Sequence, residues 1–74
     1  MITDIAFDTI FNNHRICCMI DANTGVITYR DIDSPKALAK SVNIRNVNVS
    51  SFKYTLEDFV VSAAIGVLKN RGIY

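Results

Sequence analysis

The sequence contains no tryptophan, one proline, three glycines, one histidine and two cysteines in 74 residues. Gly25, Gly66 and Gly72 stand far apart, so there is no glycine-rich phosphate cradle and no P-loop. Cys17 and Cys18 are adjacent. On a strand they point to opposite faces, so a disulfide between them would be strained, and nothing resembles a secreted disulfide framework. With His14 and Asp21 the two thiols cluster in sequence but do not reproduce the C-x-x-C or H-x-x-x-H spacings of zinc ligands. A cysteine nucleophile needs a base and a polarising environment, and His14 is the only histidine. Asp21, Asp31 and Asp33 suit turn solvation and capping better than acid–base chemistry. No catalytic residue, metal or cofactor is therefore expected.

A large charge excess is missing too. The net charge of +1 argues against a polybasic mode of nucleic-acid binding, whose affinity scales with phosphates neutralised. The N-terminus lacks the basic region, apolar run and small-residue cleavage site of a signal peptide, so a cytoplasmic protein is expected. The longest apolar run is far shorter than the ~20 residues a bilayer requires, which excludes a membrane span.

What is present is apolar residue: half the chain is hydrophobic and one fifth charged, the composition of one globular domain. A chain this short buries a modest fraction of its surface and is marginal alone. A protein partner or a homodimer is an obvious place for the excess. The chain is also rich in Ile and Asn. That bias is common where coding DNA is AT-rich, as in many phages and mobile elements, and it also lies within the scatter of a short sequence.

The clearest element is a helix over Thr55–Asn70. Thr55 suits the N-cap, Glu57 and Asp58 complement the positive end of the dipole, Lys69 and Arg71 the negative end, and Gly72 the left-handed stop. Wrapped at helical period, Asp58, Ser62, Gly66 and Lys69 form a narrow polar stripe, and apolar residues cover most of the rest. Such a helix is buried on several sides or meets another chain.

A β-hairpin is expected over Arg15–Asp21 and Val26–Ile32, joined by Ala22-Asn23-Thr24-Gly25 with Gly25 at positive φ. Pairing Asp21 with Val26 sets Ile20 opposite Ile27, Cys18 opposite Tyr29 and Ile16 opposite Asp31. Ile16, Cys18, Ile20, Ile27 and Tyr29 then share one apolar face, to be covered by the C-terminal helix. Cys17, Met19, Thr28 and Arg30 share the other. Thr3–Asn12 reads as a short amphipathic helix, and Ser34-Pro35 as the start of another over Lys36–Val42.

Asn43–Tyr54 has two readings. Val47-Asn48-Val49 alternates like a strand, which gives an α+β domain of order αββαβα: a hairpin, extended to a three-stranded antiparallel sheet, packed on the long helix. Alternatively, Pro35–Phe52 resembles the helix-turn-helix family. Leu38 and Ala39 fall where that family packs its first helix, Asn43 at the turn, Ile44 after it, and Val49 and Phe52 where the recognition helix packs back. The resemblance implies that Arg45, Asn46, Val47, Ser50 and Ser51 face the major groove, where Arg and Asn read base edges.

The functional expectation is a small non-enzymatic binding protein, a regulator or inhibitor docking onto a macromolecular partner. Its expected contacts are Cys17, Met19, Thr28 and Arg30 on the sheet, and Val61, Ile65 and Leu68, beside Ala64, on the helix. The alternative is a DNA-binding regulator acting through Arg45, Asn46, Ser50 and Ser51.

Overall fold

The computed structural model describes residues 4–45 and 55–73. Its elements run β1 (Asp4–Phe11), β2 (His14–Asp21), β3 (Val26–Asp31), β4 (Lys40–Asn43) and α1 (Leu56–Asn70). The strands form one four-stranded antiparallel sheet in the order β1-β2-β3-β4, each paired with its neighbour in the chain. The domain is α+β as expected, but its described elements follow the order ββββα rather than αββαβα.

The central hairpin has the expected register: Ile16 opposes Asp31, Cys18 opposes Tyr29 and Ile20 opposes Ile27. Its loop closes on Asp21, whose carboxylate accepts from the backbone N–H of Asn23 at 2.8 Å and of Thr24 at 3.3 Å. Gly25 adopts φ +77°. It is buried, and its carbonyl accepts from Ile44 N–H at 2.8 Å. A side chain there would meet Ile44 Cγ2 at 2.9 Å, so both backbone angle and space require glycine.

The segment read as an N-terminal helix is a strand. Within β1, Ile5 is buried and Phe7, Thr9 and Phe11 are half-buried, while Asp4, Ala6, Asp8 and Ile10 are exposed. This is the period of two that a half-covered sheet requires. Asn12 and Asn13, at φ 50° and 64°, make the tight turn that joins Phe11 to His14. Both central residues of such a turn need positive φ, which Asn tolerates better than most residues.

Lys36–Val42 is not a helix either. Asp31 and Ser34 hold a succession of turns: Asp31 Oδ1 accepts from Asp33 N–H at 3.0 Å, and Ser34 O from Ala37 N–H at 3.1 Å. The chain then enters β4, where Val42 opposes Ile27 and Ser41 opposes Thr28. Leu38 and Ala39, placed on the first helix by the helix-turn-helix resemblance, lie in this connection, and Asn43 ends a strand. The resemblance is left without its first helix. The expected third strand at Val47–Val49 lies outside the described residues, and the β2-β3 hairpin is extended by two other strands, β1 on one side and β4 on the other.

α1 matches its sequence signals. Thr55 Oγ1 accepts from Asp58 N–H at 3.2 Å. At the other end Gly72 has φ +74°, its N–H donates to Lys69 O at 3.1 Å, and Ile73 N–H donates to Leu68 O at 2.9 Å. That pair of bonds satisfies carbonyls that a helix end otherwise leaves open. The helix lies across one face of the sheet, against β1 and β3. Val60, Val61, Ala64 and Leu68 are buried there with Ile5, Ile16, Cys18, Ile20, Ile27, Tyr29 and Ile44. Full burial of each large aliphatic side chain contributes about 1.5–3 kcal/mol, so this one layer carries most of the fold's stability. Phe59 leans on Phe11, with ring centroids 5.5 Å apart.

Candidate functional site

The alternation that buries Ile16, Cys18 and Ile20 turns Cys17, Met19 and their neighbours outward. Along β3, Ile27 and Tyr29 are buried while Thr28 and Arg30 are exposed. The register then aligns rows across the outer face: Ala6, Met19, Thr28 and Ser41 in one, Asp8, Cys17 and Arg30 in the next. A shallow groove of about 480 Å³ runs between them. Met19 is 48% exposed at its floor. Among the described residues no helix covers this face, because α1, the only described helix, lies on the other.

All four sheet residues expected as contacts are thus brought together: Cys17, Met19, Thr28 and Arg30 line one groove. Sequence reading missed Ala6 and Asp8, which complete it from β1. Their signal was the alternation Ile5, Phe7, Phe11 against Asp4, Ala6, Asp8, obscured by the exposed Ile10.

The helix residues fare differently. Val61 at 1% exposure and Leu68 at 3% belong to the core, as does Ala64, and they are not available to a partner. The sheet face reaches further round the helix than the expected pattern allowed, because β1 adds Ile5, Phe7 and Phe11 to it. Ile65 is half-buried against the same core. The exposed helix surface consists instead of Glu57, Phe59, Ser62, Gly66, Lys69 and Asn70. Arg45 is exposed just past β4, its N–H donating to Asn43 Oδ1 at 2.9 Å. Asn46, Ser50 and Ser51 lie outside the described residues.

The charges around the groove act on its thiol. Burial, and then the neighbouring Asp8 carboxylate, push the Cys17 thiol up, against the opposing pull of Arg15 and Arg30. Cys18, on the core side, is pushed up to about 11, chiefly by burial. Both cysteines are free thiols held in the protonated form, whereas thiolate is the reactive species. Each acid and base around Cys17 can pair with an opposite charge on a partner.

A second polar cluster closes the sheet near the Asn12-Asn13 turn. His14 Nδ1 meets Asp31 Oδ2 at 2.5 Å, and Arg15 N–H donates to Asp33 Oδ2 at 2.7 Å. Partial burial works against ionisation of Asp31, but the His14 contact and the Asp33 N–H outweigh it and hold the carboxyl below its usual value. These bonds fasten the exit of β3 to the start of β2. His14 and Cys17 project to opposite faces of β2, so they form no joint site. Among the described residues, no group of three or more His, Cys, Asp or Glu is placed to hold a metal ion, and no helix is long and apolar enough to cross a membrane.

Compared with protein-family models, curated proteins and solved structures, the chain matches none.

Proposed function

We propose that this protein is a small non-enzymatic binding module, a regulator or inhibitor that docks onto a macromolecular partner through the outer face of its sheet. One observation carries the reading: among the described residues a four-stranded sheet is covered by its helix on one side only, and the other side presents a continuous groove of Ala6, Asp8, Cys17, Met19, Thr28 and Arg30. Its centre is apolar and its flanks carry one acid and one base, the layout of an interface core with a polar rim. The groove is shallow, which suits a macromolecular surface better than a small ligand, since small-molecule sites enclose most of their ligand.

The test is affinity capture from the native host with three forms of the chain. Met19→Glu and Arg30→Glu together leave the core untouched and are expected to abolish retention of the partner. Lys69→Glu, on the far surface of α1, is expected to leave it unchanged. Identical retention by all three forms, or no retained partner at all, would remove the proposal's basis.

A further inference from the structure

The two edges of the sheet are built differently. β4 is four residues long and carries Lys40, and both features discourage pairing with another strand. β1 is eight residues long, without lysine or proline, and among the described residues it is paired on one side only. Ile10 is 67% exposed along it, and Phe7 and Phe11 are half-buried.

The backbone phase of this edge follows from observed bonds. Ile32 N–H donates to Arg15 O and Gly25 N–H to Asp21 O, so the odd-numbered residues of β2 direct their backbone groups toward β3. Its even-numbered residues therefore bond to β1, where their register partners are Ile5, Phe7, Thr9 and Phe11. The N–H and C=O groups of Asp4, Ala6, Asp8 and Ile10 are left pointing out of the sheet.

We infer that β1 is the contact of a symmetric dimer, in which the β1 strands of two copies pair antiparallel about Phe7 and join the two four-stranded sheets into one, with both helices on the same side. The sequence of β1 selects this occupant and this register. A two-fold axis through Phe7 sets Asp4 opposite Ile10 of the partner subunit and Ala6 opposite Asp8 of the partner subunit. Every outward backbone group from Asp4 to Ile10 is then satisfied, and no two carboxylates are directly opposed. An axis through Ala6 opposes Asp4 to the partner's Asp8 and leaves Ile10 without a described partner. An axis through Asp8 opposes the two Asp8 side chains and leaves Asp4 unpaired. Like charges directly opposite destabilise a sheet. At the Phe7 axis the two rings meet as a close, non-hydrogen-bonded pair on the helix side, where aromatic pairs contribute most. The contact is an isologous one, closed by its own symmetry. It is made by the backbone edge of the sheet, and it adjoins the outer-face groove at Ala6 and Asp8.

Sedimentation equilibrium on the full chain tests this. The wild type is expected at twice the 8.3 kDa chain mass. Ala6→Pro removes an outward N–H without touching a bond to β2, and proline is tolerated on sheet edges. It is expected to weaken the dimer by roughly 100-fold or more while the circular-dichroism spectrum stays unchanged. Ile10→Asp opposes two carboxylates across the pair and should also dissociate it. Adding Asp4→Lys to Ile10→Asp should restore association, because the two positions meet only between chains. This rescue keeps the test decisive if the proline variant fails to fold. A wild type that stays monomeric at millimolar concentration, or a double variant that is not rescued, would overturn the inference.

Discussion

Cys17 and Cys18 are neighbours in sequence, yet one lines an open groove and the other lies in the core at 5% exposure. The whole sheet repeats this contrast. Its inner face is Ile5, Phe7, Ile16, Cys18, Ile20, Ile27 and Tyr29, sealed by α1; its outer face is Ala6, Asp8, Cys17, Met19, Thr28 and Arg30, sealed by nothing described. The same backbone serves both faces, so the difference resides in side chains alone. Stability is concentrated on one side, and the recognition we propose is assigned to the other. A substitution should therefore report which face it belongs to by which property it changes.

The sharpest break is Ile20→Ala against Met19→Ala, adjacent residues on opposite faces. Ile20 is wholly buried, so its truncation should cost about 2–5 kcal/mol by denaturant unfolding. Met19→Ala should stay within about 0.5 kcal/mol. Equal costs would mean that the outer face is also packed. Next in size is Thr55→Ala, which removes the bond from Asp58 N–H at the start of the helix covering the inner face. About 1 kcal/mol is expected from thermal melts, with the outer face unaffected.

The thiols allow a comparison by pH. A group whose pKa is raised on folding supplies stability that is full below its unfolded value and is lost as pH rises through its folded value. For Cys18 that window runs from the ordinary thiol value of 9.0 to about 11. Alkaline destabilisation across that range should shrink in Cys18→Ala measured against its own neutral-pH stability, the remainder coming from groups such as Tyr29 that burial also pushes up, and a thiol reagent should label Cys17 well before Cys18. Simultaneous labelling would show that the core face opens as readily as the groove.

The smallest effect concerns Asp31, at the end of β3. Its pKa is lowered on folding, so its contribution is present above the unfolded carboxyl value and is lost as pH falls through the folded one. Acid unfolding should begin at lower pH, relative to neutral stability, in Asp31→Asn than in the wild type. An unchanged acid transition would show that the contact with His14 contributes nothing measurable.

The central hairpin and α1 were legible because local chemistry and global packing agree there. Gly25 marks the loop, alternation sets the register, and Thr55 and Gly72 mark the helix ends. The candidate groove was legible to the same extent, since the outward residues of β2 and β3 follow from the register. β1 was hidden by Ile10, an apolar residue on the solvent side that breaks the alternation, and by a turn made of Asn12 and Asn13 rather than Asn-Gly. β4 was hidden because it is short and sets only Val42 against the core side of Ile27, while Ser34-Pro35 imitates a helix start where the chain only turns. Val61 and Leu68 were misplaced as contact residues for the same reason as β1: without that strand the sheet looked too narrow to cover them.

The strand order has a consequence for the birth of the molecule. Each strand pairs with the one made just before it, so the sheet closes through short loops at small entropic cost and can form as the chain is synthesised. Its helix is encoded after all four strands. Until Leu56–Asn70 has emerged from the ribosome, Ile16, Ile20 and Ile27 have no lid. A sheet of the four described strands formed before α1 docks would be greasy on one side and unsealed along β1, and that state, rather than the finished fold, is the one most open to mispairing.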